Sequence, residues 1–292
     1  MKKIALINDL SGFGKCSLTA AIPVISVMGL QACPLPTAVL SAQTGFDEYY
    51  CDDYTDRMNI FTDQWKKMGV EFDGIYSGFL ASAKQIEKVK YFLDNFLNDN
   101  NFYLADPVMG DHGEPYDLFS EELLVGMKEL AVKADVITPN LTEVCMLADA
   151  DYSEIVKHNH EDNYVEIIRE LCKKLINKAE KPQTVIVTGI IRKCGDKEYV
   201  GNLAMSDNEW FYVINSKIQK DLIILGLLSA VFAQLGDLFA SVICGSFMNG
   251  LTLKEALEKA TSFLTEAIEE AANEGIPSPH GVYFERHLGK LM

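Results

Sequence analysis

Acidic side chains recur in this sequence directly after short apolar runs. Asp9 follows "IALI", Asp106, Asp111 and Glu114 lie in "DPVMGDHGE", Glu143 closes "ITPNLTE", and Asp237 sits in "LGDLFASVICG". Carboxylates are hard oxygen ligands, so Asp106 and Asp111 could hold Mg²⁺ through water; the structural alternative is a solvated acidic turn. Pro107 holds that turn, and Gly110 and Gly113 let the backbone approach a ligand. Asn140 and Glu143 have the spacing of a helix capping box, which does not prevent Glu143 from sharing a cleft with Asp106 and Asp111. Acids gathered around one cleft suit metal-assisted phosphoryl transfer. Asp237, with Gly236 before it, heads a helical pattern; it is either a cap or a general base with helix N–H groups facing a transferring phosphate.

The glycine loop "NDLSGFGKCS" is a different case. Where a phosphate-binding P-loop places its first glycine and its Ser/Thr, this chain has Asp9 and Cys16. Ser17 stands where a dinucleotide fingerprint needs its third glycine. Asp9 would repel phosphate but can accept from a hydroxyl or a ring N–H, which suits the uncharged end of a small substrate.

Such residues need a scaffold that brings distant loops together. Strand-like runs near Ile4–Ile7, Ala32–Leu40, Gly74–Ser77, Phe102–Ala105, Val136–Thr138 and Thr184–Thr188 alternate with helical patterns. The helices fall near Lys15–Met28, Asp53–Met68, Ala83–Asn98, Ser120–Lys133, Leu141–Ala148 and Val165–Lys178. This alternation predicts an α/β fold, a mainly parallel sheet with helices on both faces. After Gly189, "KEYVGNLAMS" and "EWFYVINSKI" read as an antiparallel hairpin. A last helix starts at the Thr252–Glu255 capping box, buries Leu253, Leu257, Ala260, Leu264, Ala267 and Ala271, and stops at Gly275 and Pro277. No repeat or linker interrupts the chain, so one domain over residues 1–292 is expected. In such a sheet, ligands sit beyond the carboxyl ends of the strands, where the acidic loops fall.

Composition narrows the possibilities. A formal net charge of −16 opposes the basic face that nucleic-acid binding requires. The seven cysteines are scattered without a Cys-x-x-Cys pair and read as reduced thiols; the five histidines do not join them at zinc spacing, and "HNH" at 158–160 reads as a solvated turn. Asn8, Asp9 and the glycines interrupt the N-terminal apolar run, so no signal peptide is read and a cytoplasmic location is expected. The apolar stretch from Leu222 to Met248 is long enough to span a bilayer, but Asp237 would be costly in lipid. It is expected to be buried core, with no membrane association.

Taken in order, "INDLSGFGKCS", "PLPTAVLSAQTGF", "DPVMGDHG", "ITPNLTE", "GDLFASVICG" and "GVYFE" resemble the pyridoxal/pyridoxine/pyridoxamine kinases of the ribokinase-like superfamily. The related hydroxymethylpyrimidine kinases share the loop that Asp9-Leu10-Ser11-Gly12 matches. The resemblance implies ATP-dependent phosphorylation of the 5′-hydroxymethyl group of a B6 vitamer, with Mg²⁺ and often a monovalent cation, in a protein that is commonly a homodimer. By position, Asp9 and Ser11 would meet the ring's polar substituents, Gln43 and Thr44 would line the same pocket, and Phe79 would cover the ring face. Asp106, Asp111 and Glu143 would organise Mg²⁺ and the ATP phosphates, Asn140 and Thr188 would contact the nucleotide, and Asp237 would take the hydroxyl proton beside the Gly236 amide. The chain departs from the family at the catalytic helix, where Gln234-Leu235-Gly236-Asp237 replaces Gly-Thr-Gly-Asp. A helix continuing through this segment would tie up the anion-binding amides. Ala42-Gln43 also replaces the Asn-His of many relatives, which leaves the choice of ring open.

Overall fold

The computed structural model describes residues 1–195, 197–215, 227–276 and 278–292, with backbone only at 215, 227–234 and 278. Its centre is a nine-stranded sheet in the order β11-β10-β9-β8-β5-β4-β1-β2-β3. The strands are β1 (Lys3–Ser11), β2 (Gln31–Leu40), β3 (Cys51–Asp53), β4 (Gly74–Ser77), β5 (Phe102–Ala105), β8 (Val136–Ile137), β9 (Thr184–Cys194), β10 (Lys197–Met205) and β11 (Trp210–Asn215). Two short strands, β6 (Gly110–Asp111) and β7 (Glu114–Pro115), form a separate ribbon. From β9 to β2 the neighbours run parallel, whereas β3, β10 and β11 are antiparallel additions at the two edges.

The apolar run in β1 has a physical reason. Ile4, Ala5, Leu6 and Ile7 are all buried because helices cover both faces of the sheet. On one face lie α1 (Ser17–Val27), α8 (Leu227–Met248) and α9 (Leu253–Asn273). The other carries α2 (Thr55–Lys67), α3 (Ala83–Phe96), α4 (Glu121–Ala131), α5 (Leu141–Ala148) and α7 (Tyr164–Ile176), with the short α6 (Tyr152–Val156) beside α5. The α9 capping box forms as the sequence implies: the Thr252 hydroxyl accepts from the Glu255 N–H at 3.3 Å, and Glu255 accepts from the Thr252 N–H at 2.8 Å. Its expected apolar stripe is buried.

Three features differ from expectation. Strand β1 runs on through Ser11, so Asp9 and Ser11 belong to a strand rather than to a loop, and β9 runs on beyond Thr188, its expected end, to Cys194. Edge strand β3 was not read, since "CDD" has no apolar alternation to mark it. Most consequentially, α8 does not begin at Gly236; it is continuous from Leu227 to Met248, which places Gly236 and Asp237 in its interior. The apolar positions before Gly236 carry the helix through a glycine that costs only about 1 kcal/mol. Leu235 and the residues from Leu238 to Cys244 are buried, as a core segment requires, and among the described residues no helix is long and apolar enough to cross a membrane. The hairpin residues 216–218, the apolar residues 222–226 and the helix stop Pro277 lie outside the described residues.

Candidate active site

The parallel strands deliver their carboxyl ends to one edge of the sheet, and the predicted acids meet there. Asp106, directly after β5, is 6% exposed and accepts from the Thr138 hydroxyl at 2.9 Å. The following loop is stapled onto the start of α5. Glu143 accepts from the N–H groups of Met109 (3.1 Å) and Asn140 (2.8 Å), the Asn140 amide donates to the Gly110 carbonyl (2.8 Å), and the Thr142 hydroxyl accepts from the Gly113 N–H (2.9 Å). The capping box inferred for Asn140 and Glu143 is therefore present, and its glutamate reaches one loop further. Asn140 also bridges to Thr188, whose N–H donates to the Pro139 carbonyl.

These elements enclose a cavity of about 270 Å³. Every residue expected at the nucleotide and metal lines it: Asp106, Asp111, Asn140, Glu143 and Thr188, joined by Gly236. Sequence reasoning missed several of its walls. Thr138 and His112 line the cavity from inside the quoted motifs without having been assigned a role, while Tyr116, Tyr152 and Lys193 line it from outside any motif.

The electrostatics are those of a crowded anionic pocket. Burial pushes Asp106 up to about 7. Burial also lifts Glu143 well above the usual carboxylate range, and the charge of Asp106 adds to it. Asp111 is raised by burial, an effect that His112 offsets in part. Among the described residues no three His, Cys, Asp or Glu side chains form a ready-made metal cage. The donor set nevertheless fits Mg²⁺, which needs only one or two carboxylates, keeps waters and completes its shell with substrate phosphates. A cation there would relieve the mutual repulsion of these carboxylates.

The residues expected at the ring do not line this cavity; they gather at the end of β1. Asp9 is 5% exposed and accepts from the hydroxyls of Ser11 (2.8 Å) and Ser17 (2.5 Å). Gln43 accepts from the Gly45 N–H at 2.8 Å and donates to the Pro279 carbonyl at 3.1 Å. Thr44 beside it is exposed, and Phe79 is half-buried with its N–H donating to Asn8. An aromatic group that the sequence did not flag stands over these loops. Phe13, Phe46 and His280 have ring centroids 5.3–5.7 Å apart.

Asp237 joins the two halves. Its Oδ1 accepts from the Asn8 amide at 2.9 Å and its Oδ2 from the Ser17 N–H at 2.7 Å. Ser17 reaches Asp237 with its N–H and Asp9 with its hydroxyl, from a left-handed backbone at φ 51° that costs roughly 1–3 kcal/mol. Burial first, then the charges of Asp106 and Asp9, push Asp237 up to about 8. A buried carboxyl poised near neutrality, between an acidic cavity and a hydroxyl-lined pocket, can exchange a proton with a group that enters between them.

A parallel sheet covered on both faces, with acids from successive crossovers around one cavity, is the layout of a ribokinase-like small-molecule kinase. The phosphomethylpyrimidine kinase family matches residues 18–281, and the chain belongs to it. It is 38% identical to a protein from Bacteroides thetaiotaomicron assigned to the phosphomethylpyrimidine kinases and solved with pyridoxal; the superposition has a TM-score of 0.86 and covers 99% of this chain and 95% of that one. The pyridoxal kinase of Proteus mirabilis is 27% identical over 281 residues, 92% of this chain and 89% of the relative. That of Actinobacillus pleuropneumoniae is 27% identical over 207 residues, 70% of this chain, which spans 65% of the relative's length.

Proposed function

We propose that this protein transfers the γ-phosphoryl group of ATP to the 5′-hydroxymethyl group of a B6 vitamer: pyridoxal, pyridoxine or pyridoxamine. The observation that carries this reading is the position of Asp237, bonded to the Asp9 side of the site through Ser17 and electrostatically coupled to Asp106. Asp9, Ser11, Gln43 and Thr44 would receive the polar ring edge, with Phe79 on its face. Asn140 and Thr188 would contact the nucleotide. Asp106, Asp111 and Glu143 would hold Mg²⁺, which when bound supplies positive charge to the phosphates. Asp237 would accept the proton of the attacking hydroxyl as the oxygen turns toward phosphorus. Burial of Asp9, Asp106, Glu143 and Asp237 limits the water that would otherwise compete as acceptor. A homodimer is the assembly this family affiliation suggests, and sedimentation at micromolar concentration checks it.

The test is ADP release on adding each vitamer to purified protein with Mg²⁺ and ATP. Asp237→Asn is expected to abolish the signal, and phosphorylation of none of the three vitamers refutes the proposal. Measuring kcat/KM on hydroxymethylpyrimidine in the same assay separates the related pyrimidine kinase activity. A second reading has its own support. In the interior of α8 the N–H groups of Gly236 and Asp237 are committed to carbonyls four residues back, not open to phosphate. If the helix stays continuous with nucleotide bound, the chain would bind its ligands without appreciable turnover. Calorimetry showing vitamer or ATP binding alongside a silent ADP assay identifies that case.

A further inference from the structure

We propose that Asn8 is the positioning residue for Asp237, fixing both the direction and the ionisation of the carboxylate. The inference rests on Asp237 being the base. Asn8 lies in β1 one residue before Asp9 and is 1% exposed. Its Oδ1 accepts from two backbone N–H groups, those of Asp9 (3.0 Å) and Phe79 (3.0 Å). Those two donors leave no freedom in the amide's orientation: the oxygen faces the backbone, so the NH₂ group faces Asp237 Oδ1 at 2.9 Å. Gly78 makes room for this arrangement, since a Cβ there would stand 2.4 Å from the Asn8 amide nitrogen.

The chemistry follows from donor types. Asp237 is held by one amide N–H on Oδ1 and one backbone N–H on Oδ2. Neither group can accept a proton, so both favour the carboxylate over the acid. Burial and the charges of Asp106 and Asp9 push the other way. Asn8 thus offsets the cost of keeping a base ionised inside an anionic pocket, and it sets the carboxylate plane by tying α8 to β1 and to the loop after β4.

Asn8→Asp tests this role: the substituted side chain keeps an acceptor for the Asp9 and Phe79 N–H groups, but it replaces the donor to Asp237 with a second carboxyl, so it removes the hydrogen bond and sets a like charge or a shared proton against the base. We expect kcat to fall by about a hundredfold, the scale of general-base catalysis, while KM for the vitamer and for ATP moves by less than ~3-fold. Melting of the single variant should drop by several degrees, roughly the effect of one lost buried contact. The exchanged pair Asn8→Asp/Asp237→Asn should recover most of that loss, since donor and acceptor have only traded places, and should remain inactive. An Asn8→Asp enzyme with unchanged kcat overturns the role of Asn8 alone, as does an exchanged pair no more stable than the single variants. An unaltered protein that phosphorylates neither a vitamer nor hydroxymethylpyrimidine overturns the reading of Asp237 as a base, and the role of Asn8 with it.

Discussion

Of the buried carboxyls raised above the ordinary range, Asp237 and Asp106 call for different tests. Asp237 is pushed up to about 8 by burial and by its acidic neighbours, so below that pH it is mostly protonated in the free protein. On the proposed reading Asp237 is the base, and a base works only when ionised. The value of kcat/KM should therefore rise with pH toward 8, by up to tenfold per unit on the acid side, and bound Mg²⁺ should draw this limb to lower pH. Steady-state kinetics between pH 5.5 and 9 check both. Asp106 answers to another test. Asp106→Asn should raise the KM for Mg-ATP about tenfold or more while leaving vitamer binding by the free protein nearly unchanged, because Asp106 lines the cavity and the ring-side residues do not. Isothermal calorimetry with each ligand separates the two effects.

Among the elements, α8 gives the sharpest prediction. A glycine inside a helix is worth about 1 kcal/mol less than alanine. Among the described residues outside its own stretch of helix, the nearest atom to a Cβ on Gly236 would be Asp106 Oδ2, at 3.9 Å. Gly236→Ala should therefore raise the melting temperature by a few degrees while narrowing the cavity beside Asp106 and weakening ATP binding. A glycine in a turn heading the helix would show no such gain, so thermal melting reports the state of this segment directly. The same helix shows where the sequence was legible. The parallel strands and the helices between them were readable because apolar periodicity is local, and α5 was readable because its caps sit three residues apart. The start of α8 was misplaced because Gly236-Asp237 carries the local signature of a helix start, while the apolar residues before it dictate continuity. Asn8 was missed for another reason. Its partner lies 229 residues away, and nothing in "IND" announces the contact.

At the scale of the whole molecule, the acidic pocket should leave a mark on stability. The folded protein holds protons on Asp106 and Asp237 up to about pH 7 and 8, whereas the unfolded chain releases them near 3.8. Between those limits the native state binds more protons, so stability falls as pH rises, by up to ~1.4 kcal/mol per unit for each proton held. Without ligands the melting temperature should decline from pH 5 to pH 8 on account of these groups. Asp106→Asn should flatten the decline, and Mg-ATP should oppose it by placing a cation among the carboxylates. Scanning calorimetry across that range, with and without Mg-ATP, measures both slopes.

The late part of the chain also returns to the glycine loop at its beginning. Lys15 pairs with Glu285 at 2.8 Å and lies over the Tyr283 ring, Gln43 reaches Pro279, and Phe284 and Leu291 are buried against the same core as α1. The residues that line the acidic cavity come no later in sequence than β10 and α8, so they leave the ribosome before this late segment. The contacts that Lys15 and Gln43 make with the late segment form only once residues 279–291 have left the ribosome. If the proposed division into nucleotide and ring sites holds, ring binding measured on stalled chains of increasing length should appear only once this final staple is free to dock.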